Sequence, residues 1–319
     1  MSKLPKQEKD PNLLVGFDDA DDAGVYLLQP DLALVQTVDF FTTIVDDAFD
    51  YGRIAALNSL NDLWAMGAKP LTALSITCFP KKGLDYDVLT TIMSGGIEIL
   101  SEKRVSLLGG HSVDNDQIMF GYAVTGVVMH AQVITNSSAL PGEMLLLTKP
   151  IGTGVISTGV KFQKADPLIV KEALTTMLLS GEDASLIMKK YGVRSATDVT
   201  GFGLLGHLWE MANASKINLE IDSKNIPLLQ GALEMVDQKM LTRGDRVNRE
   251  FVGQGVSFDA TVSDQLKSLL FDPQTAGGIL MTAPKEKVDA ILSQLCRKYG
   301  QASVIGRVCN KNVPSIHVR

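Results

Sequence analysis

The spacing of apolar residues predicts alternating strands and helices in the N-terminal half of the chain. Leu32, Leu34 and Val38 fall on one face of an extended segment, which predicts a strand over residues 32–41 with Asp39 near its end. Apolar residues at helical spacing predict a helix over residues 47–66, carrying Asp62 in its last turns. The pattern also predicts strands over residues 71–79, 105–108 and 118–129 and a helix over residues 88–102, which contains the glycine pair at 95 and 96.

A second domain is predicted beyond residues 139–143, which carry Pro141 and Gly142. The domains are therefore expected to span residues 16–138 and 139–319. The later part of the chain opens with an apolar run at residues 144–147 and has helix patterns over residues 167–179, 183–191 and 204–214 and strand patterns over residues 217–221, 278–282 and 303–308. Both halves mix helices and strands, so the expected fold class is α+β, or mixed α/β.

Length and composition support this picture and exclude several classes of protein. A chain of 319 residues exceeds the usual size of one hydrophobic core, and 45% hydrophobic with 21% charged residues is typical of a globular protein. The net charge of −6 offers no broad attraction for nucleic acid or an anionic membrane. We therefore expect neither as a partner.

Cysteine usage and the N-terminus indicate where the protein works. The three cysteines, Cys78, Cys296 and Cys309, are scattered without a CxxC pair, so neither a disulfide framework nor a structural zinc site is expected. No apolar run is long enough to span a membrane, and residues 1–12 lack the apolar stretch of a secretory signal. These features predict a cytoplasmic location.

The string DDADDAGV, which begins at Asp18, contains four aspartates within five positions. Mutual repulsion of these carboxylates favours a bound cation, and a divalent metal carrying a polyphosphate would supply one. The alternative is a solvated acidic turn before a strand.

The string SATDVTGFGLLGH places Asp198 before a glycine-rich turn that opens a helix. Gly201, Gly203 and Gly206 also satisfy the GxGxxG spacing of a dinucleotide fold, with Asp222 about 20 residues further on. That fold requires an apolar parallel strand before the first glycine, whereas RSATDVT is mostly polar. The dinucleotide interpretation is therefore the weaker one.

The string LLGGHSVDN follows a short apolar segment and offers flexible backbone amides beside His111 and Ser112, suited to a phosphate or a nucleobase. The alternative is a tight turn with a surface histidine. No GxxxxGK[ST] loop occurs, so any nucleotide is held by another device.

Together these strings closely resemble selenophosphate synthetases, the selenide, water dikinases of the PurM-like superfamily, related to AIR synthetase. The resemblance includes DPNLLVGFDDADDAGVYLL, NSLNDLWAMGAKP, LLGGHSVDN, TKPIGTGV, SATDVTGFGLLGH and FDPQTAGGILM. It implies a PurM-like two-domain fold, with a dimer formed by the sheet of the N-terminal domain and a C-terminal α/β sandwich. It further implies that ATP, selenide and water give selenophosphate, AMP and orthophosphate with Mg²⁺ as cofactor.

The resemblance also assigns site residues by matching motifs. The family's metal ligands match Asp22, Asp62 and Asp198. Its ATP contacts match Asp19, Ala20, Asp21, Asp39, Asp62, Gly109, Gly110, His111 and Ser112. Carboxylate oxygens suit Mg²⁺, which commonly bridges protein carboxylates and phosphate groups. The role of His207 stays open between helix packing and ligand contact.

This chain departs from the family pattern in the segment ahead of DPNLLVG. Family members carry a reactive cysteine or selenocysteine and a lysine there, and neither has a match in this sequence, where residues 1–15 correspond to a residual arm. No catalytic residue is therefore assigned, and little or no selenophosphate synthesis is expected. Removal of the arm, or a start assigned downstream of a selenocysteine codon, would each account for the departure. Cys78 is interpreted as a packing residue.

Two alternative functions remain open. One is another PurM-like ATP-dependent enzyme, such as AIR synthetase, thiamine-monophosphate kinase or the hydrogenase-maturation dehydratase. The other is a non-catalytic nucleotide-binding paralogue, against which the retained aspartates argue because clustered carboxylates are costly to keep.

Overall fold

The computed structural model describes residues 10–18, 20–310 and 315–319. The chain divides into two compact units, one ending at Thr135 and the other beginning at Asn136. Most of the predicted residual arm, residues 1–15, lies outside the described residues. Across the described ranges, every helix is too short or too polar to cross a membrane.

The first unit is built from a sheet and two long helices. Along the chain its elements are β1 (Leu13–Val15), β2 (Gly24–Gln29), β3 (Leu32–Thr42), α1 (Ala48–Ala65), β4 (Lys69–Phe79), α2 (Tyr86–Glu102), β5 (Ser106–Asp114) and β6 (Met119–Met129). Among the described residues the strand order is β1-β2-β3-β6-β4-β5. All neighbouring pairs are antiparallel except β4 and β5, which run parallel and are joined through α2.

One face of this sheet packs against α1. Alternate residues of β6, such as Phe120, Tyr122 and Val124, are at most 1% exposed and fill the space between sheet and helix. The period of two places Thr37 and Asp39 of β3 on this same face, because they pair directly with Val124 and Tyr122. The helix-covered face therefore carries polar side chains at one end of β3.

The glycine pair of α2 allows the two helices to approach closely. A Cβ atom at Gly95 would collide with the Phe49 carbonyl of α1, and one at Gly96 would collide with the Tyr122 hydroxyl. Gly52 of α1 has the same relation to the Ile92 carbonyl. These glycines are unfavourable for an isolated helix, but here Gly52 and Gly95 are required by backbone contact between the helices and Gly96 by the Tyr122 hydroxyl of β6.

The opposite face of the sheet exposes apolar side chains. Val38 is 58% exposed, Phe40 44% and Leu74 46%. Their positions share one side of the sheet, because Val38 and Leu74 both pair with Ala123, and Phe40 pairs with Gly121. Val38, Phe40 and Leu74 define what we call the apolar sheet face.

The second unit contains a larger sheet with helices. Its elements are β7 (Met144–Leu147), α3 (Thr153–Lys161), α4 (Pro167–Met177), α5 (Glu182–Tyr191), β8 (Ala196–Asp198), α6 (Gly203–Ser215), β9 (Asn218–Ile221), α7 (Ala232–Asp237), α8 (Arg243–Val252), β10 (Val256–Phe258), α9 (Asp264–Leu270), β11 (Ile279–Ala283), α10 (Val288–Tyr299), β12 (Ser303–Cys309) and β13 (Ser315–Val318). Among the described residues the strand order is β10-β13-β9-β12-β7-β11-β8. The core joins the β7 residues Leu145 and Leu147 to the α6 residues Leu204, Leu205 and Leu208, all of them fully buried.

The structure confirms the predicted helices and strands to within a few residues at their ends, with one substantive correction. Residues 105–108 were expected to form a short strand followed by flexible residues, whereas β5 continues through Gly109–Ser112 to Asp114. Pairing with β4 supplies hydrogen bonds that the glycine-rich sequence did not indicate. The helices α3, α7, α8, α9 and α10 were not predicted.

Candidate functional site

The acidic string lies between β1 and β2. Asp18 is exposed, whereas Asp21 and Asp22 are half-buried, and the Asp22 backbone N–H donates to Asp21 Oδ1 at 3.0 Å. Ala20 adopts a φ of 50°, in the left-handed region that costs an alanine about 1 kcal/mol. Asp19 lies outside the described residues. Asp22 thus stands two residues before β2 begins.

Thr37 links Asp22 to Asp62. Its hydroxyl oxygen lies 2.5 Å from Asp62 Oδ2 and 3.4 Å from the Asp22 carbonyl oxygen. Asp62 projects from α1 and is 8% exposed. The structure therefore brings the Asp62 carboxylate and the Asp22 backbone, both from predicted metal ligands, within reach of one threonine hydroxyl.

Asp39 belongs to the same region of β3. The Asn58 side-chain amide, one turn before Asp62 on α1, donates to its carboxylate, and Ser59 Oγ donates to its backbone carbonyl at 3.1 Å. Burial raises the pKa of Asp39 to about 6, although hydrogen bonds from Phe40 and Asn58 favour the ionised form. The helix-covered face of the sheet thus presents a carboxyl group whose pKa burial holds well above its ordinary value.

Gly109–Ser112 line a separate cleft of about 340 Å³ between β4, β5 and α2. Ser75, Thr77, Leu89 and Met93 complete much of its wall. In the sheet, β6 and β4 stand between β3 and β5, so the cleft lies about three strand spacings, or about 14 Å, from Asp39. Within one chain, the predicted ATP contacts therefore form two groups and not one.

Asp198 ends β8 in the second unit and is 1% exposed. This strand pairs antiparallel with β11, where Asp198 lies opposite Ile279. A dinucleotide fingerprint requires a parallel strand entering the glycine turn, so the structure rules out that interpretation of Gly201, Gly203 and Gly206.

Lys149 is an unpredicted buried cation beside this strand. It is 1% exposed, and its ammonium group donates to the Ala276 carbonyl at 2.8 Å. Burial lowers its pKa to about 7, an effect that the negative charge of Asp198 opposes. Ala276 adopts a φ of 44°, so a strained residue presents the carbonyl that receives this bond.

The TKPIGTGV and FDPQTAGG strings meet at the start of α3. Gln274 Oε1 accepts the backbone N–H groups of Gly152 at 2.8 Å and Thr153 at 3.0 Å, and Asp272 Oδ2 accepts that of Val155 at 3.0 Å. Burial raises the pKa of Asp272 to about 7. The backbone N–H groups in the first turn of α3 thus find acceptors in the protein's own side chains, so these two strings have a structural role here.

The carboxylates fit Mg²⁺ in the presence of a nucleotide. Asp22 and Asp62 offer hard oxygen donors, and Mg²⁺ usually takes one or two carboxylates together with phosphate oxygens and water. In the part of the chain that the structure describes, no three histidine, cysteine or acidic residues form a metal cluster. The donor set therefore suits a metal that arrives with phosphate groups better than a bare ion.

Thr37 and Asn58 are site residues that sequence reasoning missed. Each leaves a signal that could have been used. Thr37 lies two residues before Asp39, hence on the same strand face, and Asn58 lies four residues before Asp62, hence on the same helix face.

Comparison with known families defines the class of protein. The family described as AIR synthase related protein, N-terminal domain, matches residues 20–128, and its C-terminal domain counterpart matches residues 141–319. The fold accordingly defines a two-domain PurM-like protein. Its solved relatives include a chain of a HypE–HypF complex, with a TM-score of 0.69 and 19% identity, covering 94% of this chain and 91% of that one.

A thiamine-monophosphate kinase from Stenotrophomonas maltophilia has a TM-score of 0.67 and 20% identity, covering 97% of this chain and 91% of its own. At such identities the likeness establishes the fold alone. Sequence similarity is more specific. Selenide, water dikinase of Clostridioides difficile is 41% identical over 319 residues, covering 100% of this chain and 91% of the relative.

The corresponding protein of Agathobacter rectalis is 39% identical over 318 residues, covering 100% of this chain and 92% of the relative. The chain belongs to the selenide, water dikinase family, the selenophosphate synthetases.

Proposed function

We propose that this chain is the body of a selenophosphate synthetase that binds ATP with Mg²⁺ and directs phosphoryl transfer to selenide. The observation that carries the proposal is the Asp22–Thr37–Asp62 arrangement, found in a chain 41% identical to a selenide, water dikinase along its full length. Asp22 and Asp62 would hold Mg²⁺ from the first unit. Asp198 is assigned to the metal as well, on the resemblance of its motif.

The chemistry requires positioning and charge neutralisation. A bound Mg²⁺ ion neutralises phosphate oxygens and orients them for displacement. The protein's own groups position the carboxylates. Thr37 donates its hydroxyl hydrogen to the Asp62 carboxylate, and Asn58 donates its side-chain amide to the Asp39 carboxylate. Asp19–Asp21, Asp39 and Gly109–Ser112 are proposed to contact the nucleotide. Gly109–Ser112 would do so through the cleft on β5.

Phosphorus NMR under anaerobic, reducing conditions tests the proposal. Wild-type protein with ATP and Mg²⁺ is expected to broaden the nucleotide signals, and Asp62→Asn is expected to abolish the broadening. Asp116→Asn is the matched control, because Asp116 is an exposed aspartate in the turn after β5. Broadening that survives in Asp62→Asn would contradict the assignment.

The same spectra address turnover once selenide is added. Formation of AMP and selenophosphate would establish the synthetase reaction in this polypeptide, contrary to the little or no turnover expected from the sequence. Binding without products would agree with that expectation. The non-catalytic paralogue would then remain as the competing function. Addition of a reactive arm from a related synthetase would test it, because a catalytic body should gain turnover and a non-catalytic paralogue should not.

A homodimer formed through the apolar sheet face belongs to the same proposal. Val38, Phe40 and Leu74 expose apolar area on a flat sheet, the kind of patch that a second copy covers. Phe40→Asp is expected to convert a dimer into a monomer in light scattering. Leu168→Asp is the control, because Leu168 is 77% exposed on α4 of the second unit. Equal masses for both variants would refute this interface.

A further inference from the structure

The loop that follows Asp198 is held on several sides by hydrogen bonds. The Val199 N–H donates to the Gly278 carbonyl at 2.9 Å, and the Thr200 carbonyl accepts the Gln274 N–H at 2.9 Å. Asn248 of α8, which is 2% exposed, donates to the Gly201 carbonyl at 3.0 Å. Successive peptide groups after Asp198 are thus fixed to different parts of the second unit.

His207 supplies the bond that fixes the Thr200 N–H group. Its Nε2 atom accepts this backbone N–H at 3.0 Å, and the ring is 5% exposed. The Phe202 ring packs edge-on against the imidazole with a centroid separation of 5.7 Å. His207 therefore connects the first turns of α6 to the loop.

One ring nitrogen, Nε2, is engaged by the backbone of the loop. A backbone N–H can only donate, so Nε2 carries no proton and its lone pair is occupied. The ring proton then resides on Nδ1, which lies 3.3 Å from a Glu210 carboxylate oxygen. His207 thus contacts the loop through Nε2, and its effect on Asp198 would pass through this bond.

We propose that His207 is a positioning residue for Asp198: by accepting the Thr200 N–H, it fixes the loop that directly follows this carboxylate and thereby sets the metal affinity of the chain. The proposal rests on the proposed function, because it takes Asp198 as a metal ligand. Replacing a residue that orients a metal ligand through hydrogen bonds commonly changes metal affinity by about 10- to 100-fold. The histidine left open by the sequence then has a specific role.

Gln and Asn substitutions at position 207 form a matched pair. In His207→Gln the side-chain oxygen reaches the place of Nε2 and can accept the Thr200 N–H. In His207→Asn the shorter side chain reaches only the place of Nδ1, so the bond is lost while a polar side chain is kept. His130→Gln controls for a histidine change elsewhere, because His130 is exposed in the first unit.

Mn²⁺ binding is measured by titration, with water-proton relaxation as the readout. A non-hydrolysable ATP analogue is present, and the signal of a protein-free blank is subtracted. His207→Asn is expected to raise the half-saturating Mn²⁺ concentration about tenfold or more, and His207→Gln less than about threefold. Asp198→Asn serves as the reference for loss of the ligand. Circular dichroism and thermal unfolding verify that each variant is folded.

The outcomes separate this inference from the proposed function. If Asp198→Asn leaves the titration unchanged, Asp198 is not a ligand, and both the assignment and the inference fail. If Asp198→Asn weakens binding while His207→Asn and His207→Gln behave alike, only the inference is overturned. Should His207→Asn fail to fold, His207→Gln decides: a half-saturating Mn²⁺ concentration within about threefold of wild type supports the proposal, and an increase of about tenfold or more overturns it, because this variant keeps the acceptor for the Thr200 N–H.

Discussion

Asp39 makes the stability of the first unit depend on pH, and Asp39→Asn should remove that dependence. Burial raises the pKa of Asp39 from 3.8 to about 6, so the folded protein holds a proton that the unfolded chain has already released. The contribution of this carboxyl group is then fully present below pH 4 and is lost as the pH rises through about 6. The asparagine variant stays neutral throughout and can still accept the Asn58 amide hydrogen.

The magnitude follows from the size of the pKa change. Each pKa unit that separates the folded from the unfolded state corresponds to about 1.4 kcal/mol, so the wild type loses up to about 3 kcal/mol between pH 4 and pH 7 from this group. The difference in unfolding free energy between Asp39→Asn and wild type should therefore grow by that amount, in favour of the variant, across the interval.

Urea unfolding of metal-free protein in EDTA measures this difference. The chain contains two tryptophans, Trp64 in α1 and Trp209 in α6, so a Trp209→Phe background leaves fluorescence that reports the first unit alone. Asp116→Asn is the control for loss of one exposed carboxylate. A difference between Asp39→Asn and wild type that stays constant from pH 4 to pH 7 would refute the assignment of a raised pKa to Asp39.

Three further predictions concern single side chains. Thr37→Val should weaken Mg²⁺-dependent ATP binding about tenfold in calorimetry, whereas Thr37→Ser should retain it, because only the hydroxyl reaches Asp62. Gln274→Ala should lower the unfolding free energy of the second unit by about 3 kcal/mol, read from Trp209 fluorescence, because it leaves buried N–H groups without an acceptor. Wild type should gain stability as the pH rises above about 7 because the folded state releases the Lys149 proton first, and Lys149→Met should lack this gain in the same assay.

The sequence predicted the regular elements where one side-chain period dominated. β3 alternates with a period of two and α1 has apolar residues at helical spacing, and both were found where expected. The prediction ended the strand that became β5 at residue 108, because Gly109 and Gly110 have low strand propensity. Pairing with β4 stabilises the longer strand despite these glycines. α8 was missed because it is short and mostly polar, so apolar residues alone did not mark it, and one of its two buried residues, Asn248, is itself polar.

The arrangement of the candidate site could not be predicted from the sequence. Resemblance supplied Asp22, Asp39 and Asp62, but no spacing in the sequence indicates that Thr37 would stand between two of them. The separation of Gly109–Ser112 from Asp39 likewise depends on strand order, which places β6 and β4 between β3 and β5. Long-range pairing of this kind leaves no trace in local periodicity.

The burial of carboxylates in both units makes ligand binding visible as stability. Asp62 and Asp198 are 8% and 1% exposed, and a buried negative charge is costly until a cation neutralises it. A ligand at 100 times its dissociation constant should add about 2.7 kcal/mol to the unit that binds it. With Trp64 reporting the first unit and Trp209 the second, in single-tryptophan backgrounds, saturating Mg²⁺ and ATP should stabilise both units if Asp198 joins the metal site. Stabilisation confined to the Trp64 transition would assign the nucleotide to Asp22 and Asp62 and remove Asp198 from the metal site, while no shift in either transition would refute nucleotide binding altogether.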